Sequence, residues 1–243
     1  MLVLLHGGFW RRRYRLDVMN ALAAALQPQA SVWNLEYRRV GSPGGGWPGT
    51  FEDVAAGFDA VLDAAAAHRL DPWRVAVVGH SAGGHLALWL ASRGRLTQGP
   101  GARPRLMPAL TVSLAGVCDP TEAARRHLSN DAVQDLLGGG PAERAALYEH
   151  VSPAARLPLG VPQLLVHGTA DDSVPLDLTE KYWEAASRAG DPCRFVKLTG
   201  VDHFQLIDPA DAHCRQVMTL TLDALVRGST SSPDRSQKRP GSR

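Results

Sequence analysis

Six short apolar runs, each separated from the next by a longer stretch, constrain the fold of this chain more than any other feature. They are 2–6 "LVLLH", 32–38 "VWNLEYR", 74–79 "RVAVVG", 110–117 "LTVSLAGV", 162–167 "PQLLVH" and 194–199 "RFVKLT". Several are near-continuous Val/Leu/Ala runs rather than apolar/polar alternations, which is the pattern of strands covered on both faces. Helical periodicity is expected between and after them, over about 15–27, 50–69, 82–92, 176–189 and 208–226. Thr50 reads as the N-cap of the second helix, with Asp53 at its third position. Strand and helix in alternation predict βαβ units and a mostly parallel, doubly wound α/β sheet flanked by helices.

The 243 residues, 44% hydrophobic and 21% charged, suffice for one large core. We expect one domain over 1–227 and a disordered Ser/Pro/Gly-rich tail over 228–243. Residues 93–109, rich in Arg, Gly and Pro, read as a surface loop. Residues 118–160 hold short helical pieces broken by "GGGP" at 138–141, and form a candidate cap or lid over the sheet.

The net charge of +2 sits mostly in the tail, where Arg235, Lys238, Arg239 and Arg243 face only Asp234, so the body is close to −1. No basic face is available to neutralise a nucleic-acid backbone. Cys118, Cys193 and Cys214 are widely spaced and odd in number, which predicts free thiols rather than a disulfide framework or zinc site. No apolar run reaches the ~20 residues of a membrane helix, and "MLVLL" is too short for a signal-peptide core. The expectation is a cytoplasmic protein with no metal and no cofactor.

"VAVVGHSAGGHLALWLAS" at 75–92 carries the sharpest chemical signal. Gly79-His80-Ser81-Ala82-Gly83 fits G-x-S-x-G between a buried strand and a helix. That turn needs small residues two positions either side of a strained serine, so that the hydroxyl projects beside a helix N-terminus. A serine hydroxyl needs a base, and on this architecture the expected order is Ser, acid, His. "LLVHGTADDSVP" at 164–175 places Asp171 and Asp172 after one strand, and "VKLTGVDHFQLIDP" at 196–209 places His203 after another. Oxyanion donors are expected from the N–H of Ala82 and from the "HGGFW" turn at 6–10, through Gly8 or Phe9. His80 and His85 read as packing residues and His167 as a turn stabiliser. His80 precedes the helix, so the two do not present the i, i+4 geometry of helical zinc ligands.

These residues resemble those of the α/β-hydrolases, and within them the small esterases and kynurenine-formamidase-like arylformamidases. The resemblance rests on "HGGFW" at 6–10, "GHSAGGH" at 79–85, "HGTADD" at 167–172 and "DHF" at 202–204, and spans roughly 2–226. It implies Ser81 as nucleophile, Asp171 as triad acid with Asp172 in reserve, and His203 as base. It implies hydrolysis of a small-molecule ester through an acyl-enzyme without a cofactor, with an arylformamidase or a prolyl-oligopeptidase-like peptidase as alternatives. A non-catalytic hydrolase-like binding protein is the reading from another class. Family members carry further residues ahead of the His-Gly-Gly strand. The expectation is therefore a start codon placed too far downstream, with 32–38 left as an exposed sheet edge.

Phe9, Trp10, Trp47 and Phe204 stand on loops near the expected rim, and read either as an aromatic substrate pocket or as loop packing. "RRRYR" at 11–15 reads either as a carboxylate-attracting patch, which would favour an arylformamidase, or as a solvated helix face.

Overall fold

The computed structural model describes residues 1–227; the tail expected to be disordered lies outside them. Six parallel strands form one sheet: β1 Leu2–Leu5, β2 Val32–Leu35, β3 Ala76–His80, β4 Leu110–Leu114, β5 Gln163–Gly168 and β6 Cys193–Leu198. Their order across the sheet is β2-β1-β3-β4-β5-β6. Each expected run supplies one strand, with ends moved by no more than three residues.

Alternation along each strand explains why the runs are apolar throughout. Val3, Leu5 and Val77 face one core cluster, while Leu2, Leu4, Ala76, Val78 and Val112 face the other. Helices α1 (Asn20–Leu26) and α9 (Ala212–Arg227) cover the second face, through Leu22, Leu26, Cys214 and Val217. Helices α2 (Gly49–Asp59), α3 (Val61–His68) and α4 (Ala82–Ser92) cover the first, through Phe51, Phe58, Val61, Leu86 and Trp89. With helices on both faces, β1, β3, β4 and β5 are buried at every position and their two-residue alternation is hidden, whereas on the edge strand β6 Arg194 and Lys197 reach water.

Residues 118–160 fold as α5 (Pro120–Arg125), α6 (Leu128–Leu137) and α7 (Ala145–Val151). Ala123, Val133, Leu136, Tyr148 and Val151 pack into the same core cluster as the sheet. Helix α8 (Leu176–Arg188) lies between β5 and β6 in sequence.

The helix expected over 50–69 begins earlier and is interrupted at Ala60, which keeps right-handed φ −65° and ψ −19°. Thr50 is not its N-cap; Pro48 holds that position. Proline needs no N–H acceptor and its fixed φ suits a helix start, so the helix begins ahead of the threonine. Thr50 is buried in the first turn, donates to Arg38 O at 2.6 Å and accepts from Gly46 N–H at 3.1 Å. Asp53 receives the backbone N–H and guanidinium of Arg38.

The order 2-1-3 places the functional rim. From β1 the chain runs outward to β2, then returns across β1 to β3 on the other side. Connections that diverge in this way leave a crevice at the carboxyl ends of β1 and β3. The His-Gly-Gly turn follows β1 and the serine turn follows β3, so both open onto that crevice.

Candidate active site

Ser81 stands at φ +55° and ψ −118°, the strained geometry expected of a sharp strand-to-helix turn. The glycines flanking it are dictated by contact. A Cβ on Gly79 would lie 1.9 Å from Gly83 O, and one on Gly83 would lie 2.1 Å from Leu5 O. A Cβ on Gly7 would lie 2.9 Å from the Ser81 Cβ. The turn after β1 is thus seated directly against the serine. Ser81 is 1% exposed, and its Oγ has no hydrogen-bond partner among the described residues.

Gly8, Phe9 and Trp10 follow at φ +107°, +49° and +56°. The N–H groups of Gly8, Phe9 and Ala82 take part in no hydrogen bond among the described residues. Ala82 opens α4, where the first N–H groups of a helix lack internal acceptors and the dipole favours negative charge. Ala82 directly follows the serine, and Gly7, the neighbour of Gly8, is seated against it.

On the far side of the rim, Asp171 follows β5 and His203 follows β6. Asp171 Oδ2 accepts from His203 Nδ1 at 2.7 Å. Its Oδ1 accepts the N–H groups of Ser173 and Val174 at 2.9 and 2.8 Å. Burial alone would raise the Asp171 pKa, but hydrogen bonds from His167, His203 and Val174 outweigh it and hold the carboxyl well below the usual range. Asp172 instead accepts from the Ser173 hydroxyl, away from His203.

The other histidines are placed as packing and turn residues. His80 is 1% exposed, donates through Nε2 to His203 O at 3.0 Å, and packs ring to ring with His203 at 4.5 Å. Burial first, then the charge of His203, pushes its pKa down to about 3. His85 ties α4 to the end of α7 through Val151 O at 2.8 Å, and burial pushes it down to about 4. His167 contacts Asp171 itself, with Nε2 3.2 Å from Oδ2.

The four aromatic candidates separate. Trp10 is fully buried, edge-on to His85 at 5.3 Å, so it belongs to the core beneath the rim rather than to an open pocket. A left-handed backbone at Phe9 and Trp10 turns that side chain inward. Trp47 packs on Phe51 and His150, while Phe9 is partly buried against the core. Phe204 is 60% exposed beside His203, its ring 5.2 Å away. The arginines of "RRRYR" are not a helix face. Arg11 bonds Asn130 O and Asp135 of α6, and Arg12 bonds Gly41 O.

A supporting cluster escaped the sequence reading. His6 is buried, stacks on Tyr37 at 4.3 Å, and places Nδ1 2.8 Å from Gly7 O and Nε2 2.9 Å from Glu36 Oε1. Burial drives its pKa down, and the bonds to Gly7 and Glu36 offset this only in part. The Tyr37 hydroxyl donates to His6 O at 2.8 Å. These contacts fix the turn that carries the candidate oxyanion donors. The signal lay in register: Leu5 pairs with Leu35, so the next residues, His6 and Glu36, come side by side.

The BD-FAE family profile matches residues 1–185. The chain belongs to the BD-FAE family. Its members are α/β-hydrolase-type esterases, and the six-stranded parallel sheet is their fold. Solved structures of similar shape include a bifunctional GH43-CE protein of Bacteroides eggerthii, at TM-score 0.77 and 20% identity over 94% of this chain. The chain spans only 31% of that protein. Esterase B of Lactobacillus rhamnosis has TM-score 0.77 and 19% identity, covering 94% of this chain and 76% of its own. Esterase 2 of Thermogutta terrifontis, bound to propionate, has TM-score 0.72 and 21% identity, covering 96% of this chain and 85% of its own. Among curated proteins none matches the chain. No described helix is long and apolar enough to cross a membrane.

Proposed function

We propose that the chain is a serine hydrolase that cleaves carboxylic esters of small or aromatic substrates through an acyl-enzyme. Membership in an esterase family supports the reaction class. The observation that carries the mechanism is the hydroxyl of Ser81, on a strained turn and without a partner among the described residues, on the same rim as a carboxylate-bonded His203. In this reading His203 Nε2 takes the Ser81 proton as Oγ attacks the ester carbonyl carbon. The N–H groups of Ala82 and of Gly8 or Phe9 receive the oxyanion. Asp171 holds the imidazole tautomer and balances the imidazolium. The proton then passes to the departing alcohol, and water activated by His203 releases the acid from Ser81. Phe204, exposed beside the base, is the aromatic surface best placed to meet a substrate. No metal or cofactor is required by these steps. The three free cysteines suit a reducing compartment, which agrees with a cytoplasmic site of action.

The test is titration with a fluorophosphonate, read by intact mass. Thermogutta terrifontis esterase 2, one of the similar structures, is phosphonylated by sarin. One adduct per chain is expected, absent in Ser81→Ala, together with turnover of an aryl ester. An unlabelled folded protein would leave a binding protein. Turnover of a formyl-anilide in preference to an aryl ester would replace esterase by arylformamidase, and preference for a peptide would replace it by a peptidase.

A further inference from the structure

The carboxylate assigned to the triad has a second histidine on it. His167 is the fifth residue of β5 and fully buried. Its Nε2 faces two acceptors, Val174 O at 3.0 Å and Asp171 Oδ2 at 3.2 Å, and therefore carries a proton. Its Nδ1 lies 2.8 Å from the hydroxyl of Thr179, which is 1% exposed in α8 and donates to it. Asp171 thus accepts three hydrogen bonds, two on Oδ1 from its own loop and one on Oδ2 from His203, and His167 Nε2 adds a fourth, looser contact to Oδ2 at 3.2 Å while bonding Val174 O.

We propose that His167 and Thr179 form a positioning arm behind the Asp171–His203 pair, in which Thr179 fixes the His167 tautomer and the His167 N–H fixes the Asp171 carboxylate. The proposal rests on the triad assignment above and goes beyond it. His167 touches neither the rim nor a substrate; it acts through Asp171. A carboxylate buried at the end of a strand has few solvent donors, so each protein donor bears directly on its orientation and on how strongly its charge reaches His203. Removing the His167 donor leaves that charge less satisfied. His203 then feels it more, and the imidazolium is favoured.

The groups facing this pair are few. His80 packs on His203, and burial holds it neutral down to about pH 3. Asp172 and Asp202 accept bonds from their own loops, at Ser173 and at Phe204 and Gln205. Asp177 of α8 is taken up by Arg126 and Lys181. The Cys118 thiol lies behind Thr179 at 3.8 Å and burial pushes it up to about 12, so it stays silent in the assayed range.

The experiment compares His167→Leu, His167→Gln and Thr179→Val with wild type by pH profiles of aryl-ester turnover. In parallel, the titration of the His203 imidazole is followed by NMR. For His167→Leu, kcat is expected to fall on the order of tenfold, the size of one lost charge-assisted hydrogen bond, with KM little changed. The acid limb and the His203 titration are expected to move upward together. His167→Gln returns an amide N–H near the Nε2 position and is expected to recover most of the rate. Thr179→Val keeps the imidazole but frees its tautomer, and is expected to shift both readings in the same direction by less. If His167→Leu does not fold, Thr179→Val and His167→Gln decide. A lowered melting temperature with unchanged pH profile and unchanged His203 titration would overturn the arm and leave His167 as packing. If wild type turns over no ester, the esterase reading fails on its own, while the His203 titration in the variants still tests the arm.

Discussion

On the β1–β3 side of the rim, backbones touch. A Cβ at Gly79 or Gly83 would fall about 2 Å from a carbonyl oxygen, and one at Gly7 would strike Ser81. On the β5–β6 side, loops are held by hydrogen bonds: Asp171 by three donors and a 3.2 Å contact from His167, His203 by Asp171 and His80, His167 by Thr179. The first side is positioned by repulsion, which is steep and leaves no intermediate state. The second is positioned by hydrogen bonds, which weaken in steps and respond to protonation. Substitutions on the first side should therefore act on folding, and those on the second on rate and pH dependence.

The largest expected effect is on the hydrogen-bonded side. Asp171→Asn keeps the size of the side chain but removes the charge and disturbs the His203 tautomer, so kcat is expected to fall by about ten-thousandfold. Steady-state aryl-ester kinetics check this, with urea unfolding run beside them to show that the fold survives. A loss of only a few-fold would move the triad acid elsewhere and erase the distinction between the two sides.

Next comes the close-packed side. Gly79→Ala drives a methyl group into Gly83 O, and is expected to cost at least about 3 kcal/mol of stability, because backbone on both sides must move. The shift in urea midpoint measures it. A folded variant within about 1 kcal/mol of wild type would show that the elbow yields, contrary to a steric account.

The smallest effect sharpens the comparison, because His80 bridges the two sides. Burial lowers His80 to about 3 and His85 to about 4 from an ordinary 6.5. In the unfolded chain both take up protons as pH falls through 6.5, while the folded protein keeps them neutral. Stability is therefore fully present above about pH 6.5 and declines below it, each histidine contributing a slope of up to ~1.4 kcal/mol per pH unit until its folded pKa is reached. Asp171 acts at lower pH, since its stabilising charge is lost only below the ordinary carboxylate range. Urea unfolding at pH 7, 6 and 5 should show the histidine decline first. A flat profile over that interval would mean that water or a proton reaches these rings in the folded state.

Local pattern carried much of this into the sequence. Near-continuous Val/Leu/Ala runs marked several strands as covered on both faces, and all six apolar runs are found in one parallel sheet. Gly79, Ser81 and Gly83 lie within five residues, so the sterics linking them are short-range and readable as a motif. The register of strand ends was also legible in outline, which is why Ser81, Asp171 and His203 could be assigned to one rim. Thr50 was misread because a proline two residues earlier starts the helix just as well.

What lay beyond the sequence depends on neighbours far apart in the chain. Trp10 looks like a rim residue by its position after Gly8, yet three successive left-handed residues turn it into the core against His85. Glu36 meets His6 only because β2 pairs with β1 in one particular register. Thr179 meets His167 only because α8 packs back on β5. Apolar period and turn chemistry are properties of a few adjacent residues, so the sequence by itself determined the sheet, its layers and the strained serine turn. Which polar groups share a buried hydrogen bond is decided by strand order and helix packing, and no local spacing encodes either.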